Sequence, residues 1–148
     1  MAMAGRCSVR ILLVDDSLAM LHENQRALER AGYQVVTAED GEGALRLAGE
    51  QLFDVILLDL LLPKVSGIDV LKTLKSDPAT AEIPVVIVSS LCEKNRERLI
   101  AAGAEDYLEK NTLMPRHGKN LLPKALEDIM CRIHRKRGLA FVDAPAKP

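Results

Sequence analysis

The chain reads VRILLVDD at residues 9–16 and FDVILLD at residues 53–59. Each stretch is an almost purely aliphatic run that ends in acidic side chains, and such runs are typical of strands buried on both faces of a parallel sheet. Asp15, Asp16 and Asp59 therefore stand where two buried strands are predicted to end. Because parallel strands end at the same edge of a sheet, we expect these three carboxylates to lie close together.

Two further strand-like segments bring other polar groups to the same edge. Residues 84–88 read PVVIV and are followed by Ser89, and residues 105–109 read EDYLE and are followed by Lys110. Open parallel sheets bind their ligands at the carboxyl ends of the strands. Three carboxylates, a hydroxyl and an ammonium in one crevice predict a site for a divalent metal ion and a phosphoryl group.

Helix-period segments alternate with these runs, which predicts five βα units with right-handed crossovers and a doubly wound parallel sheet. The remaining strand is predicted at residues 34–38. The predicted helices cover residues 18–31, 41–50, 68–75, 93–102 and 121–137. In the first helix, the apolar stripe expected to face the sheet consists of Leu18, Leu21, Leu28 and Ala31.

A length of 148 residues with 48% hydrophobic side chains suits a single domain with an adequate core. We expect residues 9–137 to form this domain, with an N-terminal tail at residues 1–8. Residues 138–148 lack any periodicity and are expected to be a flexible C-terminal tail. Because no output domain fits into that tail, the expectation is a domain that stands alone.

Charge and composition exclude several classes of binding partner and site. Residues 116–137 hold seven of the 20 Lys and Arg but two of the 21 Asp and Glu, so the last predicted helix is basic and the remainder acidic. With two Phe, two Tyr and no Trp, the chain has few aromatic side chains on which nucleic-acid bases could stack, so direct nucleic-acid binding is not expected. Three scattered cysteines predict neither a disulfide framework nor a zinc site. No membrane-spanning run or signal peptide is recognisable, so a cytoplasmic protein is expected.

The acidic residues also have a predicted chemistry. Asp15 and Asp16 beside Asp59 repel one another unless a cation lies among them, and oxygen-only ligands favour Mg²⁺. One of these aspartates could instead attack a phosphoryl group, and Asp59, alone at its strand end, is the best candidate. Lys110 would then offer a point charge to the phosphoryl oxygens and Ser89 a hydroxyl donor.

Taken together and in this order, the motifs resemble the receiver domain of response regulators in two-component signalling. The matching motifs are ILLVDDS at residues 11–17, DLLLPKVSG at 59–67, Ser89, and GAEDYLEK at 103–110. The resemblance implies a flavodoxin-like (βα)5 fold with five parallel strands in the order 2-1-3-4-5. It also implies that Asp59 is the phosphoacceptor, and that a sensor histidine kinase or a phosphotransfer protein is the donor.

The same resemblance assigns roles to individual residues. Asp16 would bind Mg²⁺ directly together with Asp59, Asp15 would act mainly through water, and the backbone carbonyl of Leu61 would be a further ligand. Ser89 and Tyr107 match the switch pair of the family, in which the hydroxyl turns toward the phosphoryl group and the aromatic ring moves inward.

In such a switch, the surface of the fourth helix, the fifth strand and the fifth, last helix changes its contacts with a downstream protein target. The same surface could instead contact a second copy of the chain and form a homodimer. The resemblance implies a signalling protein that catalyses only its own phosphotransfer and dephosphorylation, and not an enzyme for other substrates.

The chain departs from the family pattern after the lysine. Receivers usually have proline there, often with a cis bond, whereas Asn111 follows Lys110 in this chain. The connection at residues 111–120 is also longer than usual and is expected to form a turn of its own or a partner contact. Ser90 stands where Ala or Gly is common.

Three other functions are compatible with these residues. A phosphohydrolase of the haloacid dehalogenase type also uses an aspartate nucleophile and Mg²⁺, but it expects Asp-x-Asp after the first strand, where this chain has Asp15-Asp16-Ser17. A flavodoxin-like cofactor binder is disfavoured because the carboxylates would repel an FMN phosphate. A receiver-like adaptor or dimerisation module would need no phosphorylation.

Overall fold

The computed structural model describes residues 9–90, 96–113 and 118–137. Its elements are, in chain order, β1 (Arg10–Val14), α1 (Leu18–Arg30), β2 (Gln34–Ala38), α2 (Gly41–Glu50), β3 (Val55–Leu58), α3 (Gly67–Ser76), β4 (Val85–Ser89), α4 (Arg96–Ala101), β5 (Asp106–Glu109), α5 (Lys110–Leu113) and α6 (Leu122–Lys136). The predicted tails at 1–8 and 138–148 lie outside the described residues.

The five strands form one sheet in the order β2-β1-β3-β4-β5, and every pair is parallel. This confirms the predicted flavodoxin-like topology. The register places Leu58 opposite both Val14 and Ile87. Asp15 and Asp59 follow the paired residues Val14 and Leu58, and the amide of Asp59 donates to the carbonyl of Val14 at 3.1 Å. The two aspartates therefore leave the sheet side by side.

Helices cover both faces of the sheet. Because successive strand side chains alternate between the two faces, side chains that point to either face become buried. On one face, α2, α3 and α4 cover strand residues such as Leu12 and Ile87. On the other face, α1 and α6 cover residues such as Ile11 and Val86. Two packed layers explain why the strands read as continuous apolar runs instead of alternating ones.

Side-chain caps start three of the helices next to the edge that bears the aspartates. Ser17, Asp40 and Ser66 are the N-cap residues of α1, α2 and α3. Each accepts a hydrogen bond from a backbone amide three residues further along the chain. Such a cap satisfies an amide that has no partner within the helix. The carboxylate of Asp15 also accepts a hydrogen bond at the start of α1, from the amide of Ser17 at 2.9 Å.

The structure corrects one detail of the sequence prediction and agrees with another. Leu18 does not belong to the buried stripe of α1, since 51% of it is exposed, and Asn24 is buried there between Leu21 and Leu28. The connection after Lys110 contains a helical turn, α5, in agreement with the turn expected at residues 111–120, of which residues 114–117 lie outside the described residues. Within the described ranges no helix is long and apolar enough to cross a membrane.

Candidate functional site

Three aspartates meet at the carboxyl edge of the sheet. Oxygen atoms of Asp15, Asp16 and Asp59 all lie within 4.8 Å of one another. Asp15 and Asp59 are buried, with 3% and 4% of each residue exposed, whereas Asp16 is exposed. The cluster therefore has two buried carboxylates at the strand ends and one that faces solvent.

Lys110 reaches this cluster from the edge strand. Its Nζ lies 2.7 Å from Oδ2 of Asp15 and 3.1 Å from Oδ2 of Asp59, and 14% of its side chain is exposed. Because β4 lies between β5 and β3, the lysine side chain has to extend past the end of β4 to contact these carboxylates. Few side chains other than lysine and arginine have this reach.

The charges of the cluster influence one another. Burial raises the pKa of the Asp59 carboxyl above its ordinary value of 3.8, and the attraction of Lys110 offsets this only in part. Burial alone would lower the pKa of the Lys110 ammonium, but its contacts with Asp15 and Asp59 outweigh burial and raise that pKa above 10.5. Lys110 is therefore charged at neutral pH, whereas burial opposes the ionisation of the Asp59 carboxyl.

The donor atoms of the cluster fit a small divalent cation. Among the described residues, Lys110 is the cation that pairs with this cluster, through Asp15 and Asp59, so three acids outnumber it at a partly buried place. Hard cations such as Mg²⁺ prefer oxygen ligands and bind through few carboxylates while keeping several waters. The exposed Asp16 leaves one side of the cluster open for such waters.

The loop after β3 is folded back onto Asp59. The amide of Leu61 donates to Oδ1 of Asp59 at 3.3 Å, and the amide of Gly67 donates to the carbonyl of Leu60 at 2.9 Å. A Cβ atom at Gly67 would lie 2.3 Å from the carbonyl oxygen of Asp59 and 2.5 Å from Cα of Leu60. This close approach of two backbones requires glycine at position 67.

Ser89 and Tyr107 occupy neighbouring strands beside the cluster. Ser89 ends β4 and is fully buried, and Tyr107 in β5 is 3% exposed. Ile87 and Tyr107 pair in register and both belong to the core on the α4 side of the sheet. By strand alternation Ser89 lies on this same side. The tyrosine is thus in an inward position, near the strand that ends at Ser89.

Sequence reasoning missed a buried acid on β5. Asp106 is 4% exposed, and its two carboxylate oxygens pair with Arg96 of α4, at 2.9 Å, and with Arg132 of α6. The signal was present in the sequence, because an acid inside a short strand next to the core needs a partner. The identity of that partner depends on the fold.

The sequence model of the response regulator receiver domain matches residues 11–118. The chain belongs to the receiver-domain family of response regulators. The response regulator PleD of Caulobacter vibrioides is 41% identical over 104 residues, which are 70% of this chain and 23% of PleD. The polar-differentiation response regulator DivK of Brucella anthropi is 36% identical over 107 residues, which are 72% of this chain and 87% of DivK.

Solved receiver structures agree with the fold of this receiver. The receiver domain of Francisella response regulator 1452 superimposes with a TM-score of 0.73 at 27% identity, over 85% of this chain and 99% of that one. The receiver domain of the sensor histidine kinase PA1611 from Pseudomonas aeruginosa, with a magnesium ion coordinated in its active-site cleft, gives a TM-score of 0.69 at 27% identity, over 85% and 97% of the two chains. Receiver domains bind Mg²⁺ at an acidic pocket, and the cluster of three aspartates is the acidic pocket of this receiver.

Proposed function

We propose that this receiver is a phosphorylation-controlled switch in which Asp59 accepts the phosphoryl group from a sensor histidine kinase or a phosphotransfer protein. The observation that carries the proposal is the position of Asp59 at the end of β3. It lies beside two further carboxylates and 3.1 Å from the Lys110 ammonium. A carboxylate nucleophile needs an environment of this kind, with positive charge available for the phosphoryl oxygens.

Each residue of the pocket has a distinct part in the proposed reaction. A carboxylate oxygen of Asp59 forms a bond to phosphorus while the bond between phosphorus and the donor histidine nitrogen breaks, and the leaving imidazole takes up a proton. Lys110 is already held beside Asp59, so it can pair with a phosphoryl oxygen without a large movement. Ser89, at the end of β4, would offer a hydroxyl to another oxygen.

Mg²⁺ would be held by Asp16 and Asp59 directly, by Asp15 through water, and by the backbone carbonyl of Leu61. When bound, the ion supplies positive charge that offsets the negative charge of the acids and of the phosphoryl group. The exposure of Asp16 supports its role as a direct ligand on the open side of the pocket. The ion pair between Asp15 and Lys110 supports a role for Asp15 in orienting the lysine as well.

The proposed output is a change in protein contacts on the face formed by α4, β5 and α6. Phosphorylation would draw Ser89 toward the phosphoryl group and stabilise the inward position of Tyr107, which is the position seen here. This is a shift between two populated states that is biased by a local charge. A downstream protein target, or a second copy of the chain, would bind to the altered face.

We further propose that the receiver turns over no substrate except its own aspartyl phosphate. A haloacid dehalogenase type site would place its acids at alternate positions after the first strand, whereas Asp15 and Asp16 are adjacent in the chain. An assay with simple phosphate esters is expected to show no catalytic turnover. Sustained release of phosphate from such esters would contradict this part of the proposal.

Phosphorylation is tested by incubating the protein with acetyl phosphate and Mg²⁺, followed by intact-mass and peptide analysis. The wild-type chain is expected to gain one base-labile phosphoryl group on Asp59, and Asp59→Asn is expected to gain none. Asp128→Asn, which changes an exposed aspartate on α6, is the control and should label like wild type. Labelling that persists in Asp59→Asn would refute the assignment.

A further inference from the structure

Lys110 is held by a local structure that differs from the lysine-proline pattern of the family. It is the first residue of α5, a single helical turn that ends at Leu113. The charged end of Lys110 contacts Asp15 and Asp59, whereas its backbone belongs to this turn. Whatever fixes the turn also fixes the point from which the lysine side chain starts.

Leu113 anchors the turn in the core. Only 6% of it is exposed, and it belongs to the same apolar cluster as Leu122 and Leu126 of α6. Its carbonyl also accepts a hydrogen bond from the amide of Leu121 at 2.8 Å. The end of α5 is therefore joined both to the core and to the residue that precedes α6.

Asn120 links the same place to α1. Its Oδ1 accepts a hydrogen bond from the amide of Leu122 at 2.8 Å, and its Nδ2 donates to Oδ1 of Asn24 at 2.8 Å. Asn24 is 3% exposed although it lies on a helix, and this contact satisfies its buried oxygen. Since α1 starts just after Asp16, the link connects the segment behind Lys110 with the segment behind the two adjacent aspartates.

We infer that Leu113 is a positioning residue for Lys110, with the Asn120 to Asn24 hydrogen bond as its support. This inference rests on the proposed function of the pocket. Lysine has a flexible four-carbon stem, so its ammonium is placed reproducibly only if its backbone is fixed. In this chain the helical turn and its buried leucine fix the backbone of Lys110, a role that the proline after the lysine would have in the usual family pattern.

The test compares truncations of two buried aliphatic residues in the same apolar cluster, Leu113 and Ile133. Leu113→Ala is expected to slow phosphorylation by acetyl phosphate at saturating Mg²⁺ roughly ten- to a hundredfold, because small misplacements of a charged group are costly in catalysis. Ile133→Ala removes a side chain of similar burial, 4% exposed, from the far end of α6, and should keep the wild-type rate. Wild-type rates in both variants, or equal losses in both, would overturn the inference.

Two further variants separate positioning from general destabilisation. Leu113→Met conserves volume and should restore most of the rate, and Leu113→Val serves if the alanine variant does not fold. In a Lys110→Ala background, Leu113→Ala should cause no additional loss, because the group that it positions is absent. A further loss in that background would show that Leu113 acts in another way.

A measurement without phosphorylation distinguishes this inference from the proposed function. NMR detection of lysine ammonium groups should show a protected Lys110 signal in wild type and Ile133→Ala that is lost in Leu113→Ala. If the wild-type chain fails to label on Asp59 but shows this pattern, the proposed function fails and the positioning role stands. If the Lys110 signal is unchanged in Leu113→Ala, the positioning role is refuted.

Discussion

Asp59 is a carboxylate whose charge is opposed by its own surroundings. Burial raises its pKa, and the neighbouring Asp15 adds to that effect, while Lys110 compensates in part. A group in this position gains more than an exposed one from a cation or from loss of its charge, because little water is present to screen it. The residue that is costly to ionise is also the proposed phosphoacceptor.

Removing the charge of Asp59 is expected to stabilise the protein in the absence of metal. Because the folded pKa lies above the unfolded one, ionisation of Asp59 costs folding free energy as pH rises through the folded pKa. Asp59→Asn should therefore melt at a higher temperature than wild type near neutral pH. The difference should disappear as pH falls below the ordinary value of 3.8. Thermal melts across pH measure this effect.

Asp40 is a control because its pKa is shifted in the opposite direction to that of Asp59. Its hydrogen bond from the amide of Gly43 lowers the pKa of this N-cap carboxyl, so its charge stabilises the fold above the ordinary pKa and the benefit is lost as pH falls. Asp40→Asn should therefore melt below wild type at neutral pH and approach it in acid. Shifts of equal sign in the two variants would contradict the role of burial at Asp59.

Asp16 is expected to determine how strongly Mg²⁺ stabilises the receiver. A ligand that binds only the folded state adds about 2.7 kcal/mol when its free concentration is roughly 100 times Kd. Asp16→Asn should lose most of this gain, and without metal it should melt at least as high as wild type, because the change removes one of three neighbouring carboxylates. Thermal melts with and without Mg²⁺ measure both values. An undiminished Mg²⁺ effect in Asp16→Asn would rule out direct ligation by this residue.

The loop between β3 and α3 positions the pocket as a unit. Lys64 adopts a positive φ of 67°, and the loop then turns so that the start of α3 lies against the backbone of Asp59 and Leu60. Ser66 caps the helix by accepting a hydrogen bond from the amide of Asp69. The loop and the start of α3 therefore pack against the backbone of Asp59 and hold it in place. This packing depends on the small size of Gly67.

Gly67→Ala is expected to destabilise the receiver by about 1–3 kcal/mol, as overpacking does, and to slow labelling of Asp59. Its Cβ would lie 2.3 Å from the carbonyl oxygen of Asp59, so the strand end must move. The matched control is Gly49→Ala in α2, where a Cβ would meet nothing within 4 Å. That change should stabilise the helix by about 0.5–1 kcal/mol and leave labelling unchanged. Urea unfolding and labelling rates test both; a neutral Gly67→Ala would contradict the close approach.

The two helical layers are joined around the edge of the sheet by charge. Asp106 lies on the edge strand β5, Arg96 on α4 covers one face, and Arg132 on α6 covers the other. Both arginines are about half exposed, whereas the aspartate is buried. A single buried acid therefore connects the three elements of the proposed output face, next to Tyr107.

The two arginines should compensate for each other in stability. Arg96→Met and Arg132→Met are each expected to cost about 1 kcal/mol or less, because the remaining arginine still neutralises Asp106. The double variant leaves a buried charge without a cation and should cost about 3–5 kcal/mol. A double-mutant cycle by urea unfolding measures this coupling. Arg96→Met combined with Lys136→Met, which removes an exposed partner of Glu105, should be additive. Additive losses for the two arginines would show that they do not share Asp106.

Local sequence pattern was enough to predict the strands, their parallel arrangement and the polar groups at their ends, whereas the strand order came from the resemblance to receiver domains. Aliphatic runs such as residues 11–14 and 55–58 can be satisfied only by burial on both faces, and the acid after each run then has to lie at the sheet edge. The Leu18 prediction was wrong because helical periodicity alone does not say where the partner layer ends.

Three features depended on contacts between distant parts of the chain. The burial of Asn24 rests on Asn120, which lies 96 residues away, and the neutralisation of Asp106 rests on helices from both faces. The helical turn that begins at Lys110 rests on a buried Leu113 and on the start of α6. Periodicity reports which face of an element is apolar, but it carries no information about which side chain arrives from elsewhere. The sequence therefore determined which groups line the pocket, and packing determined how Lys110 is held in it.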